Sequence, residues 1–133
     1  MILLDTHVLV WLSEGSHLLG SDALALIDSA LKNDELFVLS ISFWEVAMLV
    51  EKKRLSMDVS VPIWRSNLLS SGLQELPLTG CIAIESAQLP DFHGDPADRM
   101  IVAAAINSNA TLCTADQKIL AWEHDLIRLS AKQ

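Results

Sequence analysis

The chain has 133 residues, of which 51% are hydrophobic and 20% are charged, and its net charge at pH 7 is −8. This length suits one domain, residues 1–133, whose core needs no disulfide or structural metal. No apolar run is long enough to cross a membrane and no signal peptide is recognisable, which favours a cytoplasmic protein. The acidic charge argues against a broad basic surface for nonspecific nucleic-acid binding, and the high apolar content favours an oligomer or a bound partner.

Strands and helices alternate along the predicted chain. The apolar runs at 2–4 and 36–39 lack polar alternation, which is typical of strands buried on both faces of a parallel sheet. We predict strands at 2–4, 36–39 and 110–113, a short strand or an extended connection at 73–78, and a candidate last strand at 126–129. We predict helices at 6–13, 22–32, 40–53, 61–71, 79–88, 95–107 and 114–122. This order favours a three-layer α/β fold, with a parallel sheet of four or five strands and helices on both faces.

Four acidic residues occupy comparable positions in these predicted elements. Asp5 comes directly after the first strand, and Glu45 lies in the first turn of the helix after the second strand. Asp98 lies in the first turn of an alanine-rich helix, and Asp116 follows the strand that ends at Cys113. Because ligands of open α/β sheets bind outside the carboxyl ends of the strands, we expect the four side chains to converge at one edge.

Each acid also has a simpler, structural interpretation. Ser42 and Glu45 fit a capping box, and Asp5 can cap the helix that follows it. Asp98 is favoured by the dipole of its own helix, and Asp116 can belong to a second capping box. Taken singly, each acid is better explained as a helix cap. The occurrence of all four together is what favours a functional site.

Four converging carboxylates would repel one another strongly. Two carboxylates about 5 Å apart repel by roughly 3 kcal/mol at an effective dielectric constant near 20, and four carboxylates form six such pairs. This repulsion would rival the stability of a whole domain, so convergence requires protons or a cation. Oxygen ligands without paired Cys or His select a hard ion, Mg²⁺ or Mn²⁺. Arg99 and Lys118 are the structural alternative to a metal.

Three hydroxyl residues beside these acids, Thr6, Ser42 and Thr114, are candidates for orienting the carboxylates, although helix capping also explains them. The roles of His7 and His93 stay open between hydrogen-bonded structure and proton or phosphate chemistry.

Other charged residues have structural interpretations. The basic run at 52–54 is expected to be the solvated end of a helix. Asp95 fits a helix N-cap better than a ligand, and Arg99 can pair with Asp95 or Asp98.

Four segments carry a resemblance to a known family. They are 3–7 (LLDTH), 42–47 (SFWEVA), 93–103 (HGDPADRMIVA) and 112–116 (LCTAD). In order and spacing they resemble the signature blocks of PIN-domain proteins, above all the VapC-type toxins of bacterial toxin–antitoxin pairs. The third block is the most specific, and the resemblance extends over essentially the whole chain.

The resemblance implies a PIN-like fold and an endoribonuclease that depends on Mg²⁺ or Mn²⁺. The family's metal-binding acids match Asp5, Glu45, Asp98 and Asp116 in this sequence. The resemblance further implies an RNA substrate, a homodimer and inhibition by a cognate VapB-like antitoxin. The strongly acidic composition departs from what an RNA-binding enzyme usually shows.

Two other classes of protein share features with this sequence and are alternatives to a nuclease. A signalling receiver domain would need two adjacent acids after the first strand and a phospho-acceptor Asp after a middle strand. This chain has only one acid, Asp5, directly after its first strand. A partner-binding module that keeps the fold without catalysis is the other alternative. The presence of all four matching acids argues against that module.

Overall fold

The structure is a computed structural model that describes residues 1–133. It contains five strands: β1 (Ile2–Leu4), β2 (Leu36–Leu39), β3 (Gln74–Leu76), β4 (Thr111–Thr114) and β5 (Arg128–Ser130). It contains seven helices: α1 (Thr6–Glu14), α2 (Ser21–Lys32), α3 (Ile41–Glu51), α4 (Val61–Ser70), α5 (Gly80–Ala87), α6 (Pro96–Asn107) and α7 (Gln117–Leu120). None of the seven helices has the length and hydropathy that a membrane crossing requires.

The five strands form one parallel sheet in the order β3-β2-β1-β4-β5. The first strand is therefore central, because Ile2–Leu4 pairs with β2 on one side and with β4 on the other. The predicted α/β fold with a parallel sheet is confirmed. All carboxyl ends lie along one edge, where the chain leaves β1 at Asp5.

Two hydrophobic clusters cover the two faces of the sheet. Leu4 and Val38 point into the cluster that includes residues of α1, α2, α3 and α4. Leu3 and Leu39 point the other way, into the cluster built on α6 with contributions from α5 and α7. Strands β1 and β2 are apolar without alternation because both of their faces are buried in this way.

Several element boundaries differ from the prediction. The chain enters α3 at Ile41, so Glu45 is the fifth residue of the helix and lies just past its first turn. The helix predicted at 114–122 is limited to Gln117–Leu120, with Asp116 as its N-cap. Both boundaries decide how an acid is presented at the sheet edge.

Two arginines bind backbone carbonyls instead of acids. The Arg99 guanidinium donates to the carbonyl oxygens of Ser86, Ala87, Leu89 and Phe92, which tie the end of α5 and the loop after it to α6. Arg128 likewise donates to five carbonyls, from residues 119, 120, 122, 124 and 126. The expected pairing of Arg99 with Asp95 or Asp98 is therefore wrong, because carbonyl groups occupy its donors.

Candidate active site

Asp5 is a buried carboxylate held at the carboxyl end of the central strand. It caps α1, is only 2% exposed, and accepts a hydrogen bond from the Thr6 amide at 2.9 Å through Oδ1. Its other oxygen, Oδ2, accepts from the Thr114 hydroxyl at 2.7 Å. The capping interpretation of Asp5 is correct, yet each oxygen keeps a lone pair for a further ligand.

Glu45 is connected to the start of α1 by hydrogen bonds between hydroxyl groups. The Thr6 hydroxyl donates to Glu45 Oε1 at 2.5 Å, and Ser42 Oγ lies 2.8 Å from Thr6 Oγ1. Because a hydroxyl has one proton, Ser42 must be the donor to Thr6. The predicted capping box is wrong: Ser42 is fully buried inside α3 and contacts Thr6. Thr6 and Ser42 therefore orient Glu45.

Burial raises the pKa of Glu45, and the negative charges of Asp5 and Asp95 add to this effect. The hydrogen bond from Thr6 opposes it, since it stabilises the charged form. The carboxylate is thus held in a fixed place in an environment that disfavours its charge.

Asp98 extends from the first turn of α6 toward the other acids. Its amide donates to Asp95 Oδ1 at 2.8 Å, so Asp95 is the N-cap, as expected. The Asp98 carboxyl accepts no hydrogen bond and forms no ion pair within the chain. Burial, followed by the charges of Asp95, Asp5, Asp116 and Glu45, raises its pKa to about 7. Asp98 lacks a neutralising partner that the chain itself could supply.

Asp116 is attached to the same network from the other side. Its amide donates to Thr114 Oγ1 at 3.0 Å, and its Oδ1 accepts from the Lys118 amide at 2.8 Å. Thr114 thus connects Asp5 with the turn that carries Asp116. Asp116 lines a separate shallow depression. Its negative charge contributes to the raised pKa of Asp98.

His7 bridges the first helix and the turn after β4. Its Nε2 accepts from the Ala115 amide at 3.0 Å, and its Nδ1 lies 3.6 Å from Asp5 Oδ2. An imidazole that accepts through Nε2 as a neutral ring carries its proton on Nδ1, which here faces Asp5. This contact, between residues 108 positions apart in the chain, gives His7 a structural role that the sequence left open. His93 is exposed and forms no hydrogen bond.

A cavity of about 230 Å³ brings three of the four predicted acids together. Asp5, Glu45 and Asp98 line it, and Arg54 is the only Lys or Arg residue in its wall. The remaining lining residues are Thr6, His7, Val10, Trp11, Leu49 and Leu55. Arg54 is not recognisable as a site residue from the sequence, because it lies in the basic run after α3, which the sequence predicts to be a solvated helix end.

The donor chemistry of this cavity fits a hard divalent cation. Its candidate ligands are carboxylates, whose oxygens suit such an ion. The single positive charge of Arg54 does not neutralise the three acids that line the cavity. No set of three or more His, Cys, Asp or Glu side chains forms a ready-made metal cage. Such a cage is not required for Mg²⁺, which usually binds one or two carboxylates and completes its shell with water and substrate phosphates.

Comparisons with known proteins agree with this architecture. The family model of the PIN domain, which describes the sequence pattern of that family, matches residues 2–122. Because the match spans most of the chain, this protein belongs to the PIN-domain family. It is also 36% identical over 124 residues to Ribonuclease VapC22 of Mycobacterium tuberculosis, covering 92% of each chain. This relative places it with the VapC-type members, and the receiver-domain alternative is excluded.

Solved structures show the same fold at lower identity. One is the crystal structure of VapBC2 from Rickettsia felis bound to a DNA fragment from their promoter, with a TM-score of 0.71, 21% identity, and coverage of 97% of this chain and 98% of that one. Another is FitAcB from Neisseria gonorrhoeae, with a TM-score of 0.67, 21% identity, and 98% coverage of both chains. At this identity the likeness concerns the fold alone.

Proposed function

We propose that this protein is an endoribonuclease that hydrolyses RNA phosphodiester bonds with the help of Mg²⁺ or Mn²⁺. The observation that carries the proposal is the Asp98 carboxyl, which is half-buried, lacks a donor, and faces three other acids in and beside one cavity. Such an arrangement opposes folding unless a proton or a cation neutralises it. The name of the 36% identical relative, a ribonuclease, supports RNA as the substrate.

Asp5 and Asp98 would hold the cation, with Glu45 and Asp116 as the more distant ligands. When bound, a divalent cation supplies an activated water and neutralises the charge that develops on the phosphate. The Thr6 amide and the Thr114 hydroxyl fix Asp5, so its free lone pairs keep one direction. The Thr6 hydroxyl fixes Glu45 in the same way. Asp98 would serve as a ligand in its ionised form.

Attack by water, rather than by the ribose 2′-hydroxyl, predicts products with a 5′-phosphate and a 3′-hydroxyl. The test is cleavage of end-labelled RNA with Mn²⁺, with Mg²⁺ and with EDTA, followed by analysis of the new ends. Asp5→Asn and Asp98→Asn should lose metal-dependent cleavage, whereas Asp28→Asn, on the exposed face of α2, should cleave normally. Products that end in a cyclic phosphate, or equal cutting in EDTA, would refute this mechanism.

We further propose that the protein is the toxin of a VapBC-type pair, acts in the cytoplasm and forms a homodimer. Two structural neighbours, VapBC2 from Rickettsia felis and a toxin–antitoxin complex from Klebsiella pneumoniae, support a VapB-like antitoxin as partner. Trp44, 56% exposed on α3, supports a dimer contact there. Coexpression with the neighbouring gene product should suppress cleavage and toxicity. Sedimentation should give a dimer, which Trp44→Lys should weaken.

A further inference from the structure

Three of the nine Lys and Arg residues already have partners within the chain and can be set aside as RNA-binding groups. Arg99 and Arg128 are engaged with backbone carbonyls, and Arg65 pairs with Glu75 at 2.9 Å. The six others form no ion pair with an acidic side chain: Lys32, Lys52, Lys53, Arg54, Lys118 and Lys132. A phosphate-binding role is open only to these six.

Two of the six lie on opposite sides of α1, next to the acids. Arg54 lines the cavity that contains Asp5 and Asp98, between α1 and the end of α3. Lys132 lines the second depression, which Asp116 shares on the other side of α1. Both cations are exposed. A chain of phosphates that passed from one depression to the other would meet a cation on each side and the carboxylates between them.

Helix α1 forms the ridge between the two depressions, and His7 and Trp11 line both of them. Trp11 is half-buried, and its ring meets the His7 ring edge-on with centroids 5.1 Å apart and an interplanar angle of 66°. His7 in turn is fixed by the Ala115 amide. Trp11 therefore offers a rigid, partly accessible aromatic surface beside the acids.

We infer that a single strand of RNA crosses α1 at this ridge, with backbone phosphates at Arg54 and Lys132 and one base against Trp11. The inference rests on the proposed nuclease function and assigns Arg54, Lys132 and Trp11 as residues that position its RNA substrate. Base–aromatic stacking needs a base released from pairing. Duplex binding depends instead on many phosphate contacts, which a surface of net charge −8 with two suitably placed cations does not provide.

The test measures kcat and KM for cleavage of an unstructured RNA of about a dozen nucleotides, with Mn²⁺ and at several KCl concentrations. The variants are Arg54→Gln, Lys132→Gln, Trp11→Leu and Trp11→Phe. Lys32→Gln is the matched control, since Lys32 ends α2 and lines neither depression. Melting temperatures identify any variant that has lost its fold.

Arg54→Gln and Lys132→Gln should each raise KM several-fold with little change in kcat. Each should also reduce the slope of log(kcat/KM) against log[KCl] by about 0.7, the value for one phosphate contact on a single strand. Trp11→Leu should raise KM roughly tenfold, as expected for loss of one stacked base, and Trp11→Phe should recover most of this loss. Prepaired duplex RNA should be cut far more slowly than the single strand.

Three results would overturn the inference while leaving the nuclease function intact. They are wild-type KM and salt slope in all three disruptive variants, an equal effect of Lys32→Gln, and cleavage of duplex as fast as single strand. If the variants instead weaken only inhibition by a coexpressed protein, the ridge binds protein and not RNA. If the wild-type protein cuts no RNA in Mn²⁺, the proposed function itself fails, and this inference fails with it.

Discussion

Asp98→Asn is the substitution that most directly tests whether the acids oppose folding. Asn has nearly the same shape as Asp but no charge. Because the Asp98 carboxyl accepts no hydrogen bond from the chain, the substitution removes no native contact. Its main effect on metal-free protein should be the loss of repulsion from the neighbouring acids.

The raised pKa of Asp98 sets the size of this effect. Burial and the charges of Asp95, Asp5, Asp116 and Glu45 raise the pKa from 3.8 to about 7. Without solvent screening, this difference in pKa would correspond to roughly 4 kcal/mol in the free energy of unfolding. Solvent screens a half-exposed carboxyl, so we expect about 1 to 2 kcal/mol of destabilisation.

The same pKa fixes the pH range of the effect. A carboxyl whose pKa is higher in the folded state than in the unfolded state costs no stability below about pH 4, and its full cost is reached above about pH 7. The free energy of unfolding of the metal-free protein should therefore fall as pH rises through this window. Asp98→Asn should lack the part of this fall that Asp98 causes, and should keep the part caused by Glu45, whose pKa is also raised.

Urea unfolding in EDTA measures both quantities. Near pH 8, Asp98→Asn should be more stable than wild type by about 1 to 2 kcal/mol, which corresponds to roughly 3 to 8 °C in melting temperature. Near pH 5 the difference should shrink to less than half. Mn²⁺ should raise the melting temperature of wild type more than that of the variant. Asp28→Asn should match wild type in every condition.

A free energy of unfolding for Asp98→Asn equal to or below that of wild type, near pH 8 in EDTA, would contradict this prediction. The acids would then not oppose folding, and their arrangement would not call for a cation. Destabilisation confined to Mn²⁺-containing buffer would not count against it, since the variant also loses a proposed ligand.

Two further substitutions test the supporting contacts. Thr6→Val keeps the side-chain volume but removes the hydroxyl that donates to Glu45, so it should cost about 1 kcal/mol of stability and lower cleavage by roughly 10- to 100-fold, with Thr6→Ser restoring both. Urea unfolding and the RNA assay measure these effects, and full activity in the valine variant would contradict the orienting role. Arg99→Lys cannot reproduce the fan of donors to the Ser86–Phe92 carbonyls and should cost about 2 to 4 kcal/mol in the same unfolding assay. Wild-type stability in that variant would show that these contacts are dispensable.

The fold was predictable because its strongest signals are local. The buried strands at Ile2–Leu4 and Leu36–Leu39 appear directly as uninterrupted apolar runs. The Asp95–Pro96 pair marks the start of α6, and the structure has the predicted N-cap there. Each of these features is set by neighbouring residues, so a single sequence is enough to find it.

The contacts that organise the site were not predictable in the same way. Ser42 and Glu45 have the spacing of a capping box, but Ser42 instead binds Thr6, which is 36 residues away in the chain. Arg99 is adjacent to Asp98, but its donors reach carbonyls on a preceding loop. A spacing rule cannot detect either contact, because each depends on how distant segments are packed.

The central position of the first strand has a consequence for synthesis of the protein. β1 needs β4 as a sheet neighbour, and β4 begins at Thr111, more than a hundred residues later. Asp98 and Asp116 also come from this late part of the chain. A ribosome-bound fragment that ends before β4 cannot assemble the acidic cavity, so such fragments should show no nuclease activity in stalled-ribosome assays. For the proposed toxin, activity would therefore begin only after translation is nearly finished, which would leave time for an antitoxin already present to bind each new molecule.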